Sequence, residues 1–454
     1  MRKLFIIMSC FFPLLSLAAE TIIQGNIEGF NGKIIRAAVV EDYITNSRTY
    51  LAEFKIQENK YKLSFDIKET RELILKIEDK ESSIFAEAGA VYNINLSFDE
   101  QKNLDKLYDK SLDLQFEYPK PKELNQLIKS FNTAYNDFIA NNYQRFVTLQ
   151  AKDAVDKFIE EHMNRKEYQQ NSYAKNYVKY ALANLKNIIS IPEKKLYEEF
   201  LKDQEILYLQ KEYMSFFKQL YQKSFENISI GKSGSAILKA IILDKDLNLA
   251  LKVIEERKGI QNTALAELYL IHGLFEIYYR ETIRKSDNIN MLKFIAEKGS
   301  TKENRELASN IIQMFTQYEK GEIATNFKLL NEKGKVKTLK DFYGKPIYIG
   351  FWASWSIPSL KQLEVMNMLH KTYGDKINFI SINLDEDSQN MKDFVAKNKY
   401  PWSFLHYGND YKIRENYNVL TVPTYFILDE NGRIIEANTQ DPTEIEKKLY
   451  QLTR

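Results

Sequence analysis

The chain has 454 residues, 44% of them hydrophobic and 28% charged, a length that suits about two to four domains with their own cores. Its formal net charge is only +2 and no basic block is present, which argues against nucleic-acid binding. Beyond residue 17 no apolar run reaches membrane-spanning length, so no integral membrane span is expected after that point.

The first 19 residues have the pattern of a secretory signal peptide. Arg2 and Lys3 precede an apolar run, and Ala18-Ala19 supplies small residues for cleavage. The only cysteine of the chain, Cys10, lies inside this run, and we favour ordinary cleavage near Ala19 over lipoprotein processing at Cys10 because the apolar region before it is short. The mature protein would then be periplasmic or secreted, contain no cysteine and have a formal net charge of 0, since Arg2 and Lys3 are removed.

Residues 20–99 alternate between apolar and polar side chains, with turn residues at regular intervals. Residues 61–65 and 91–96 are examples of such runs, and Asn31-Gly32 is a hairpin signal. This pattern predicts an antiparallel β-sandwich of about seven strands.

Residues 100–320 have the periodicity of α-helices. Apolar residues recur at helical spacing at Leu124, Leu127, Ile128 and Phe131, and again near residues 247–254, where Gly259 follows as a C-cap. We therefore predict a central all-α region. The four histidines of the chain are dispersed, and none has a second histidine or a cysteine at i+3 or i+4, so we expect neither a metal nor a cofactor.

Residues 321–454 alternate between strand and helix patterns. Ile347–Trp352 is a run of β-branched and aromatic residues typical of a buried strand, and Pro358 suits the first turn of a following helix. Helix is predicted over residues 360–373, a second buried strand over 377–384, and a helix through Asn398 whose start is favoured by the acids at 385–387. A third core strand is predicted at 424–429.

The turn Trp352-Ala353-Ser354-Trp355-Ser356, followed by Pro358-Ser359 and later by Val422-Pro423, resembles the thioredoxin-like thiol-disulfide oxidoreductases of the ResA/TlpA type. In that family the turn is W-A-S-W-C-x-P-C. The resemblance covers roughly residues 323–454 and implies a thioredoxin-like α/β domain. The predicted protein is thus a multidomain α+β chain with a β-sandwich, an all-α region and this C-terminal domain.

The resemblance places Ser356 and Ser359 at the positions of the two redox cysteines, and Gln362 at that of a nearby glutamate. Disulfide exchange needs a thiolate and a second sulfur, and a serine hydroxyl supplies neither. We therefore predict no catalytic residue in this domain. Both a natural loss of redox work and an engineered double substitution fit these residues.

In resembling proteins the bond before the proline is cis, and the backbone of the preceding residue pairs with an extended peptide, which needs no sulfur. The alternative is that Pro423 only maintains the fold. The candidate peptide-binding residues are Trp355, Ser356, Ile357, Pro358, Val422 and Pro423.

The sequence thus predicts a redox-inactive module that binds extended or unfolded protein segments, or serves as a scaffold for a cell-envelope protein. Two alternatives remain. One is a thiol-disulfide oxidoreductase, as the fold suggests. The other is a structural envelope protein that works through its N-terminal and helical regions.

Overall fold

The computed structural model of the chain describes residues 20–100, 110–117, 122–148, 150–229, 234–278, 280, 283–385, 387–408, 412–419, 421–437, 439 and 441–453. The predicted signal peptide with Cys10 lies outside these residues. The chain divides into two compact units, Met1–Ser224 with Lys258–Asn262, and Phe225–Arg257 with Thr263–Arg454. The division falls inside the region predicted as one helical segment.

The described part of the first unit begins with β-strands. They are β1 Thr21–Asn26, β2 Ile34–Val40, β3 Arg48–Lys55, β4 Lys60–Phe65, β5 Arg71–Ile77, β6 Lys80–Ala86, β7 Val91–Ser97, β8 Lys110–Ser111 and β9 Asp113–Glu117. Within the described residues they form a four-stranded sheet in the order β4-β1-β7-β9 and a five-stranded sheet in the order β3-β2-β5-β6-β8. A shared apolar core joins the two sheets, as the alternating pattern predicts; in β4, Tyr61, Leu63 and Phe65 are buried in it.

Two features of these sheets differ from the sequence expectation. The prediction of a purely antiparallel sandwich is wrong, because β1 pairs with β7 in parallel, as β6 does with β8. Strands β8 and β9 also lie beyond residue 99, within the segment predicted to be helical. Alternation of side chains identifies a strand but not its neighbour, and strands as short as β8 form only because a partner strand is present.

Helices complete the first unit. They are α1 Leu124–Asn141, α2 Tyr143–Val147, α3 Lys152–Met163, α4 Lys166–Gln169, α5 Ser172–Ile188, α6 Glu193–Phe200 and α7 Lys211–Leu220. The predicted apolar face of α1 is confirmed, since Leu124, Leu127, Ile128 and Phe131 are buried. Phe85 of β6 contacts the rings of Tyr173 and Tyr177 in α5 at centroid distances of 5.4 and 5.6 Å, so the helices cover the outer face of the five-stranded sheet.

Further helices follow between residues 224 and 316. They are α8 Ser224–Ser229, α9 Gly234–Lys239, α10 Leu247–Lys258, α11 Thr263–Ile277, α12 Lys285–Lys298 and α13 Lys302–Thr316, with a π-helical turn at Ala240–Asp244. Gly259 follows α10 at φ +72°, the left-handed conformation that ends many helices and that was predicted there. None of the helices in the described part of the chain is both long and apolar enough to cross a bilayer.

The remaining elements form a thioredoxin-like α/β domain in the second unit. They are β10 Lys328–Asn331, β11 Val336–Thr338, β12 Ile347–Trp352, α14 Ile357–Tyr373, β13 Asn378–Asn383, α15 Ser388–Asn398, β14 Ser403–His406, α16 Lys412–Asn416, β15 Thr424–Leu428, β16 Ile434–Ala437 and α17 Glu446–Leu452. In the described residues the sheet order is β11-β10-β14-β13-β12-β15-β16. Every residue of β12 is buried, and separate apolar clusters cover the two faces of the sheet.

Candidate functional site

Strand β12 ends at Trp352, and a short turn leads into α14. Ser356 caps this helix, because its Oγ accepts a hydrogen bond from the Ser359 N–H at 3.3 Å. Pro358 occupies the first helical turn, where its missing N–H costs nothing. Residues next to one another in sequence therefore favour this turn. It follows the C-terminal end of β12, an interior strand, and so lies at the end of the strands and not on a face of the sheet.

The two serines lie against each other and beside Val422. The Ser359 hydroxyl donates to Ser356 Oγ at 2.9 Å, and Ser356 Oγ lies 3.5 Å from the carbonyl oxygen of Val422, a long and weak contact. Ser356 is 6% exposed and Ser359 is fully buried. The Val422-Pro423 bond is cis, as the resemblance implies. The structure thus brings the turn and the proline loop together.

Two apolar side chains of this turn point into solvent. Trp355 is 63% exposed and Ile357 is 67% exposed, although both are large and apolar. Pro358 is exposed as well, while Val422 and Pro423 are half-buried. These residues form an apolar surface around a polar centre made by Ser356. Their role in peptide binding stays a prediction.

Gln362 joins three parts of the domain that are distant in sequence. Its Nε2 donates to Asp441 Oδ2 at 2.9 Å, and its Oε1 accepts from the Tyr425 hydroxyl at 2.8 Å. Burial, followed by the charge of Asp441, raises the pKa of Tyr425, so the hydroxyl stays protonated and donates. The sequence analysis did not identify Asp441, because nothing local marks an acid 79 residues away as a partner of Gln362.

Replacing Gln362 by glutamate is expected to destabilise the protein by about 1–2 kcal/mol at pH 7, because two carboxylates would meet where an amide now donates to one. The neighbouring charge raises the pKa of the introduced carboxyl in the folded state above its unfolded value. The folded state then binds more protons, so the penalty is largest at pH 7 and decreases as the pH falls towards about 4. Urea unfolding at several pH values measures both effects.

The matched control is Gln389→Glu. Gln389 Nε2 donates to Asp393 Oδ1 at 2.8 Å on the exposed surface of α15, so the same chemical change occurs in water. Its expected cost is about 0.2–0.5 kcal/mol, typical of like charges one helical turn apart. If both variants lost the same unfolding free energy, the contact between Gln362 and Asp441 would stabilise the protein no more than an exposed contact does.

Asp385 and Asp387 have different structural roles, although both were predicted to favour the start of a helix. Asp387 does cap α15 by accepting from the Gln389 N–H at 2.8 Å. Asp385 is 1% exposed and instead accepts from the Ser354 backbone N–H and from Asn383 Nδ2, each at 2.9 Å. For Asp385 the prediction is therefore wrong: its carboxylate fixes the turn next to Trp355.

His406 completes this network as a neutral ring. The Gly408 N–H donates to its Nδ1 at 3.0 Å, so the proton lies on Nε2, which is 2.7 Å from the Asp385 carbonyl oxygen. Burial lowers the pKa of His406 and so favours the neutral form. Among the residues that the structure describes, no three His, Cys, Asp or Glu side chains are grouped as a metal site. The expected absence of a metal stays a prediction.

Comparison with known proteins connects this geometry to a family. A family model described as thioredoxin-like matches residues 344–434. The thiol-disulfide oxidoreductase ResA of Bacillus thuringiensis subsp. konkukian (strain 97-27) is 33% identical over 147 residues, which cover 31% of this chain and 83% of the relative. The thioredoxin-like protein YneN of Bacillus subtilis (strain 168) is 31% identical over 147 residues, 31% of this chain and 86% of the relative.

Two solved structures also match part of the chain. The crystal structure of a putative thiol-disulfide oxidoreductase from Bacteroides vulgatus is 27% identical, and the match covers 31% of this chain and 99% of that one, with a TM-score of 0.29. The C-terminal domain of a putative thiol-disulfide oxidoreductase from Bacteroides thetaiotaomicron is also 27% identical, covering 30% and 98% of the two chains, with a TM-score of 0.29. Each of these matches covers less than a third of the present chain.

Proposed function

The chain belongs to the thioredoxin-like family, and from this membership we propose that its C-terminal domain binds extended or unfolded protein segments without disulfide exchange. Ser356 and Ser359 occupy the positions of the redox cysteines, and Gln362 occupies the position of the acid. An alcohol is hardly ionised at neutral pH and forms no stable bridge to a substrate sulfur. The one cysteine in the sequence, Cys10, belongs to the proposed signal peptide.

The observation that carries the proposal is an exposed apolar surface beside a thiol-free turn. Trp355 and Ile357 are 63% and 67% exposed, and the turn that bears them contacts the backbone of Val422. An extended segment that adds to the backbone of Val422 would gain main-chain hydrogen bonds, and its side chains would cover the two apolar residues. Neither interaction requires sulfur.

The class of proposed partner follows from these two interactions. Backbone pairing and apolar contact are available to any extended polypeptide, so unfolded segments and envelope proteins are the proposed partner class. The proposed site of this activity is the periplasm or the outside of the cell, and the signal-peptide pattern of residues 1–19 supports it. The C-terminal domain would then act as a binding or scaffold module.

The test uses fluorescence anisotropy of carboxymethylated α-lactalbumin, an unfolded protein whose thiols are blocked. Wild-type protein is expected to bind it saturably, and Trp355→Ala is expected to weaken binding about tenfold, because an exposed tryptophan at such a surface contributes about 1.4 kcal/mol or more. The stability of the variant should stay within about 0.5 kcal/mol of wild type, since the side chain is exposed.

Met368→Ala is the matched control, because Met368 is a 59% exposed apolar residue of α14, the helix that follows the turn. It should bind the unfolded probe as wild type does. Equal binding by wild type and Trp355→Ala would contradict the proposal. Function would then lie in the β-sandwich or the helices, as the structural alternative holds.

A further inference from the structure

A polar cavity of about 480 Å³ lies in the first unit. It lies on the outer face of the five-stranded sheet, since Glu72 and Ile74 of β5 line it, whereas the alternating Leu73 and Leu75 belong to the sandwich core. Lys211 of α7 lines it from the helical side. Its volume falls within the range of about 300–1,000 Å³ that is typical of small-molecule sites.

The inner end of the cavity is a buried carboxylate with fixed partners. Glu72 is 2% exposed; Lys211 Nζ lies 2.8 Å from its Oε1, and the Tyr43 hydroxyl donates to its Oε2 at 3.1 Å. Burial, and then the charge of Glu72, raises the pKa of Tyr43, so this hydroxyl remains a donor. Both carboxylate oxygens of Glu72 therefore accept hydrogen bonds from within the protein.

The outer rim is also preorganised. Arg48 and Glu81 form a two-pronged ion pair with N to O distances of 2.6 and 3.0 Å. The loop that carries Tyr43 and Asn46 is held by Asp42, whose Oδ1 accepts from the backbone N–H groups of Ile44 at 2.9 Å and Thr45 at 2.6 Å. A ligand would therefore meet side chains that are already in place, which reduces the entropy lost on binding.

The charges of the lining cancel in pairs. Lys211 faces Glu72, and Arg48 faces Glu81, so an anion or a cation would have to compete with an ion pair that is already made. The ammonium of Lys211 has three N–H donors, one of which is donated to Glu72, and a paired carboxylate still has lone pairs. A cavity lined by such residues favours a ligand without net charge that both donates and accepts hydrogen bonds.

The uncharged lining completes this chemistry. Asn46, Ser83 and Ser111 add an amide and two hydroxyls, while Val40 and Ile74 add an apolar patch. A sugar ring has hydroxyls around its edge and C–H groups on its face, and so matches both kinds of lining. We propose that this cavity binds a neutral saccharide of one or two rings, independently of the peptide-binding surface.

The test is saturation-transfer difference NMR on the full chain with glucose, N-acetylglucosamine, maltose and cellobiose, and with methylammonium and acetate as charged probes. At least one of the sugars is expected to bind saturably. Ser83→Leu places a bulky apolar side chain on the cavity face without removing an ion pair, because Ser83 lies opposite Ile74 in the sheet. It should weaken sugar binding at least tenfold.

Ser97→Leu is the matched control, an exposed serine of β7 in the other sheet, and should bind as wild type does. Ser111→Leu is a second variant at the exposed rim, on the same face as Glu81, and should also lose binding. The proposal is overturned if none of the four sugars binds, if only methylammonium or acetate binds, or if folded Ser83→Leu and Ser111→Leu both bind like wild type.

Discussion

The Ser356→Cys/Ser359→Cys variant is expected to reduce insulin disulfides with dithiothreitol as the electron source, whereas the wild-type chain is expected to show no activity above a mock preparation. In the structure the two hydroxyl oxygens are 2.9 Å apart at the N-terminus of α14. Sulfur atoms at the same positions would be close enough to form a disulfide. The helix N-terminus favours a negative charge and so promotes the thiolate.

Dithiothreitol supplies the electrons that the double variant needs for repeated turnover. The thiolate at position 356 attacks an insulin disulfide and forms a mixed disulfide, releasing one insulin thiolate. The thiol at position 359 then attacks this bond, releasing the second insulin thiolate and leaving the variant oxidised. Dithiothreitol supplies two electrons and restores the dithiol. Both the variant and the reference protein should carry Cys10→Ser, so that the introduced sulfurs are the only thiols.

Each single cysteine variant is the control, because one sulfur forms a mixed disulfide but has no partner to resolve it. Both should be far less active than the double variant. Insulin reduction by wild-type protein would contradict a redox-inactive site. A folded double variant with two titratable thiols and no activity would show that the scaffold itself, through Gln362 or the surrounding surface, no longer supports exchange.

Replacing Asp385 by alanine is expected to lower the free energy of unfolding by about 2–4 kcal/mol, because two donors, the part-buried Ser354 N–H and the buried Asn383 Nδ2, would lose their acceptor. The carboxylate is 1% exposed, so water does not readily replace it. Urea unfolding measures the loss. The variant should also bind the unfolded probe more weakly, because Ser354 directly precedes Trp355.

Asp387→Ala is the control for this prediction. Asp387 is exposed and caps α15, so its removal should cost about 1 kcal/mol. It should leave the turn at Ser354 and binding of the probe unchanged. If Asp385→Ala were no more destabilising than Asp387→Ala, the buried network would not hold the turn.

The turn between β12 and α14 was predictable because the signals for it are local in sequence. A run of β-branched and aromatic residues specifies β12, and Ser356 and Pro358 are typical of the first residues of a helix. The helix predicted for residues 360–373 is α14 Ile357–Tyr373, which begins one turn earlier because Ser356 caps it. Neighbouring residues are enough to predict these features.

The partners that fix the site were not predictable in this way. Asp441 reaches Gln362, and Asp385 reaches Ser354, only after separate strands and loops have come together in the folded domain. The same holds for the cavity of the first unit, where Glu72 and Lys211 are separated by 139 residues. Periodicity in a short window carries no information on such contacts, as the parallel pairing of β1 with β7 also shows.

The most direct measurement is an NMR spectrum of the indole N–H groups with and without carboxymethylated α-lactalbumin. The chain has 3 tryptophans; Trp355 is 63% exposed, whereas Trp352 and Trp402 are 1% and 8% exposed and serve as internal controls. Binding of the thiol-free probe at the proposed surface should shift the Trp355 signal saturably and leave the other two in place. An unchanged Trp355 signal at saturating probe would contradict a peptide-binding role for this site.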